Sequence, residues 1–260
     1  MTTTTERTDM PTAPPAAVTA SRPERPGPTV TPRKAAKIAG VSYVLLFIAA
    51  IFANFFVREG LIDSTDAGAT AANITESEGL FRFGLVVFLF IFLLDVLIAW
   101  ALHIVLREKS HDVSLLAAWL RLMYTVFLGV AAIFFYQGLN LLSGADYLSV
   151  TPTDQLQAQA LAAFELFNST WLIGLAAFGL HLMVIGWLFV TTGLAPRALG
   201  LVMIAAGAAY VIDTVAYSLL GNYADHKTAF LAMVAIPSII GEAWFGLWLL
   251  LRAGKVPTRS

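Results

Sequence analysis

Along this chain, long apolar runs alternate with short polar breaks, and six of the runs are long enough to cross a bilayer as helices. About 20 apolar residues, rising roughly 1.5 Å each, cover the hydrocarbon core of a membrane. The runs predict spans at about 38–57, 81–106, 114–142, 160–190, 198–220 and 229–251. None alternates with period two, and turn residues separate them, which argues against a transmembrane β-barrel. Helices close their own backbone hydrogen bonds in lipid. The expected fold is therefore all-α, a polytopic membrane protein with six transmembrane helices in one bundle.

The polar breaks carry their own signals. Thr75-Glu76-Ser77-Glu78 has the spacing of a capping box and predicts a helix start just ahead of the second span. Thr151-Pro152-Thr153-Asp154 offers an N-cap, a proline at the first helical position and an acid in the first turn. The fourth helix is expected to begin near Pro152, with Gln155, Gln157 and Gln159 in water or headgroups. Gly193, between Thr192 and Pro196, predicts a tight stop and restart. Residues 1–35 are rich in Pro, Thr and Ala with almost nothing large to bury, so a disordered tail is expected there. Residues 253–260 read as a second, short tail.

Composition supports lipid as the solvent. Of 260 residues, 58% are apolar or aromatic and only 13% are charged. That is about half the charge of a usual soluble domain. The net charge of −1 hides a strong asymmetry. The N-terminal tail, the Arg107–Lys109 loop, Arg197 and the C-terminal Arg252, Lys255 and Arg259 fall on one side. The other side has Arg58, Arg82 and Lys227, and collects Glu59, Asp63, Asp66, Glu76 and Glu78. The positive-inside rule then predicts a plasma-membrane protein with both termini cytoplasmic. Trp119, Trp187, Trp244 and Trp248 fall toward the inner helix ends, where interfacial anchors are expected. No basic tract is dense enough for nucleic acid, so the bilayer is the one partner indicated. The absence of cysteine excludes disulfides and thiol chemistry.

Charges within spans are costly, about 2.5–3.5 kcal/mol at a helix centre on insertion scales, so each needs a reason. An inner layer holds Asp95, Arg121, His181 and Glu242; an outer layer holds Gln137, Asn140, Glu165, Asn168 and Asp213. Asp95 and Arg121 lie on helices joined by a short loop, so an ion pair between them is expected. Asp213 follows Tyr210 within hydrogen-bonding reach on one face, and Glu242 follows Pro237, which frees backbone groups. Two readings apply to Asp95, Arg121, His181, Asp213 and Glu242. Either they line a path for a substrate or proton, or they pair across helices and fix the packing. Gly174, Gly179, Gly186, Gly200 and Gly207 fit close helix packing. Motifs for zinc hydrolysis, intramembrane serine proteolysis and nucleotide binding are absent. His103 and His181 are weak evidence for a bis-histidine haem. No cofactor or metal is expected, and no enzymatic activity.

The chain resembles a bacterial membrane family, the domain-of-unknown-function 4386 family. The resemblance rests on RKAAKIAGVSYVLLFI in the first span, Ala69–Ile74 followed by SEGLFRFG, and LLSGADYL after the third span. It also rests on FGLHLMVIGWL, LAPRALGLVMIAAGAAYVID and IPSIIGEAWFGLWLLLR in the last three spans. It implies a multi-pass bacterial plasma-membrane protein and carries no activity. The expected role is non-catalytic, as a scaffold, sensor or partner subunit, with a small transporter or channel-like protein as the alternative.

Overall fold

The computed structural model describes residues 30–251, and they are helical almost throughout, with no strand among them. The expected disordered tail lies outside these residues except at its end. There, Thr31 accepts a hydrogen bond from the Lys34 N–H at 3.4 Å and Pro32 opens helix α1 (Pro32–Ile51). This N-cap and the preset φ of proline start the helix six residues before the expected 38, so residues 32–35 are helix and not tail. The first span continues as a π-helical stretch, Phe52–Arg58, and ends in α2 (Glu59–Leu61).

A separate helix, α3 (Ala67–Glu76), follows, with the Asp66 carboxylate capping the Ala69 N–H at 2.9 Å. The expected capping box at Thr75 is therefore not formed. Thr75 sits in the last turn of α3 and its hydroxyl donates back to the Ala71 carbonyl at 2.7 Å. Ser77 is the joint, and α4 (Glu78–Leu106) starts beyond it. The remaining spans are α5 (His111–Leu141), α6 (Thr153–Thr192), α7 (Arg197–Leu219) and α8 (Tyr223–Leu251). Pro152 occupies the N-cap of α6, so the helix starts at Thr153, one residue later than expected. Gly193 closes that helix with φ 65°, the left-handed conformation a C-terminal glycine supplies.

Six helices are thus long and apolar enough to cross a membrane. Each packs on the next in the chain, and α8 packs back on α1, so the six form a closed ring; α3 lies against α6 at the end away from the termini. The outward faces are apolar, as Phe83, Leu93, Val126 and Ile133 illustrate, each more than half exposed. A continuous greasy exterior of this kind suits a lipid environment and not water. Trp119 and Trp187 lie on that exterior, whereas Trp248 is buried against Phe189 and Phe245, so it serves the core and not the interface.

Two packing devices fill the interior. Phe81, Phe88, Phe135, Phe164 and Phe167 interlock between α4, α5 and α6 in the half away from the termini, with Phe135 stacked on Phe167 at 3.8 Å. Between α6 and α7, Gly179 meets Gly207 and Gly186 meets Gly200, backbone against backbone. A Cβ on any of the four would strike a carbonyl oxygen of the facing helix. The two contacts are seven residues apart on each helix, one full repeat of an antiparallel seam.

Candidate polar site in the bundle

Each span places one polar side chain at a similar depth. Tyr43 stands eleven residues after Pro32, Asp95 eleven before Leu106, Arg121 ten after His111, and His181 eleven before Thr192. Tyr210 follows Arg197 by thirteen residues, and Glu242 precedes Leu251 by nine. Helices that alternate in direction and share one rise per residue bring these positions to one layer.

Arg121 is the hub of that layer. Its Nη2 donates to Asp95 Oδ1 at 2.5 Å and its Nη1 to the Tyr43 hydroxyl at 2.6 Å. The guanidinium also faces the rings of Tyr43 and Phe178, with its carbon 4.8 and 5.2 Å from their centroids. His181 completes the set. Its Nδ1 lies 2.7 Å from the Ala117 carbonyl, which can only accept, so Nδ1 carries the proton. Nε2 then accepts from Arg121 Nη1 at 3.3 Å. A neutral imidazole beside a guanidinium adds an acceptor without adding repulsion. Asp95 and Arg121 are each 1% exposed, so both charges are taken out of solvent and depend on these partners. Asp95 Oδ2 and Arg121 Nε have no hydrogen-bond partner among the described residues. Nε–H and Nη2 lie on one edge of the guanidinium, so this acceptor and this donor are the unmade half of the same bidentate pair.

The expected Asp95–Arg121 ion pair is therefore present. His181 joins it, and Tyr43 from the first span, which is not among the polar residues singled out from the sequence, joins too. Glu242 lies next to this cluster and not inside it: its Oε1 accepts from the Tyr210 hydroxyl at 3.3 Å. Asp213 is not bonded to Tyr210, as the spacing suggested. It accepts from the Tyr223 hydroxyl at 2.7 Å, because the start of α8 folds back over the end of α7.

The outer layer is mixed. Gln137 and Asn140 are exposed. Asn168 donates to Glu165 at 3.4 Å and accepts from Arg58 at 3.1 Å. Arg58 also donates to Asn54 and Glu59 and lies over the Trp171 ring, tying the π-helical stretch to α6. His103 contacts Ser114 and His111 near the end of α4, while His181 belongs to the Arg121 cluster, so the two do not face each other as haem ligands would. Among the described residues no group of three or more His, Asp or Glu side chains could hold a metal ion.

Tyr43 and Tyr223, and the true partner of Tyr210, are hard to single out from sequence because a tyrosine in an apolar run reads as one more aromatic. The available signal is its hydroxyl, which when buried must find a partner.

A family model described as "Domain of unknown function (DUF4386)" matches residues 38–253. An uncharacterised protein of Archaeoglobus fulgidus is 26% identical over 166 residues, 64% of this chain and 81% of its own length. That likeness reaches an archaeon, beyond the bacterial range the resemblance implied. No solved structure matches the chain.

Proposed function

We propose that this chain, which belongs to the domain of unknown function (DUF4386) family, is a non-catalytic protein of the plasma membrane with both termini cytoplasmic. It acts there as a scaffold, sensor or partner subunit, and its polar layer holds the helices in one arrangement. One observation carries this reading: the Arg121 guanidinium is engaged by Asp95, Tyr43 and His181, so four spans converge on a single charge whose contacts are all internal. Interlocked phenylalanines beyond it leave that part of the bundle to packing. The orientation is supported by the basic residues, twelve on the side of the termini against three on the other.

The test is a double-mutant cycle on thermal unfolding in detergent. Asp95→Ala and Arg121→Ala each strand a buried charge and are expected to cost about 3–5 kcal/mol. The double variant recovers a large part of that loss. Unchanged stability in Asp95→Ala sinks the packing role, and a periplasmic readout from an N-terminal topology reporter sinks the orientation.

A second reading, a small transporter or channel-like protein, is favoured by one feature. Among the described residues no basic side chain makes an ion pair with Glu242 or Asp213.

A further inference from the structure

Three carboxylates in the bundle interior differ in how they are compensated. Asp95 has Arg121 in direct contact. Asp213 accepts a short bond from Tyr223 near the end of its helix. Glu242 sits deeper, half-buried, with only the long 3.3 Å bond from Tyr210. Arg121 and Asp95 interact with Glu242 through their fields and not by contact. An acid held this way in a low-dielectric bundle is under-compensated.

A second, independent feature lies one turn away. Ser238 is on the same face of α8 as Glu242, four residues earlier, and is 5% exposed. Its Oγ makes no close hydrogen bond among the described residues, and the Tyr210 hydroxyl is the group near enough to pair with it. A buried hydroxyl left without a partner carries the full cost of its desolvation. In native structures such a group calls for an explanation, and a bound water or ion is one of those that occur. Oxygen groups thus gather on one stretch of α8 and the facing α7: a carboxylate and two hydroxyls. They include no nitrogen or sulfur donor. Tyr43 from α1 and Tyr210 from α7 are the titratable groups facing Glu242 from the two helices packed on α8.

We propose that Glu242, Tyr210 and Ser238 bind a small monovalent metal cation, of the size and hardness of sodium, within the bundle. The oxygen set supplies the hard donors that such an ion takes, and the ion supplies the charge that Glu242 lacks. The site is separate from the Arg121 cluster, so it stands or falls independently of the packing reading.

The full chain in detergent is unfolded thermally across a titration of NaCl, with choline chloride holding ionic strength constant, at pH 6 and pH 8. Sodium is expected to raise the melting temperature saturably over choline. Ser238→Ala and Tyr210→Phe should raise the half-maximal sodium concentration about tenfold each, and Glu242→Gln, a neutral isostere, should abolish the response. Equal melting in sodium and choline overturns the proposal, as does a sodium response that survives in Glu242→Gln. A melting temperature that follows pH alone and loses that dependence in Glu242→Gln overturns it too, because a proton then neutralises the acid. If Glu242→Gln fails to fold, unaltered sodium affinity in both hydroxyl variants overturns the site equally.

Discussion

Arg121 donates a hydrogen bond to the Tyr43 hydroxyl at 2.6 Å while its guanidinium lies over the Tyr43 ring, although α5 and α1 are not neighbours in the helix ring. The contact spans the interior and ties the first span to the middle of the bundle. Tyr43→Phe keeps the ring, its edge contact with Phe245 and its face toward the cation, and removes only the acceptor. The stranded charged donor is expected to cost about 1–3 kcal/mol. Unfolding in detergent would measure it; stability equal to wild type would mean that the hydroxyl is incidental.

The Asp95–Arg121 pair was legible in the sequence because a short loop makes α4 and α5 antiparallel neighbours, and counting from that loop gives both residues one depth. The same arithmetic placed His181 and Glu242. What it left open was which side chain each one meets, since that depends on helix rotation and on which helices close the ring. Tyr210 and Asp213 share a face, yet each bonds to α8 and not to the other. Helix α3 was hidden for a different reason. Thr75 and Glu78 fit a helix start by spacing alone, while Asp66, eight residues before the last turn's Ile74, was the true cap.

The α6–α7 seam makes a sharp prediction about glycine. Gly200→Ala and Gly207→Ala each push a methyl group into a facing carbonyl and cannot be absorbed by a side-chain rotation. Overpacking of this kind costs about 1–3 kcal/mol. Gly79→Ala in the first turn of α4 meets nothing within 4 Å and gains helix propensity, at most about 0.5–1 kcal/mol. Opposite signs are therefore expected for one chemical change. Equal effects at Gly79 and Gly207 in thermal unfolding would remove the backbone-contact explanation.

Outside the spans, pH acts through Asp63. Its Oδ1 accepts from the Thr65 hydroxyl at 2.7 Å and the Thr65 N–H at 2.9 Å, and the hydroxyl bond first of all holds the carboxyl below its ordinary range. A depressed pKa contributes order that is complete above the unfolded value and is lost as pH falls through the folded one. Amide exchange over residues 62–70, corrected for its intrinsic pH dependence, should stay constant from pH 7 to about 5 and rise below about 4. Asp63→Asn should flatten that profile. A wild-type profile already flat would show that the carboxylate does not organise the loop.

The turn between α7 and α8 rests on Tyr223, whose hydroxyl donates to Asp213, a carboxylate only 7% exposed. Tyr217 lies ring-to-ring with Tyr223 at 5.2 Å and bonds Ser169, but that hydroxyl is exposed and water can replace its partner. The two phenylalanine substitutions should therefore differ. Tyr223→Phe removes the donor from a buried charge and is expected to cost about 1–3 kcal/mol, whereas Tyr217→Phe should fall within about 0.5 kcal/mol of wild type. Asp213→Asn added to Tyr223→Phe removes the stranded charge and should restore part of the loss, which separates an electrostatic cause from simple loss of packing. Were the double variant as unstable as the sum of its single changes, the hydroxyl–carboxylate bond would not be what holds α8 against the end of α7.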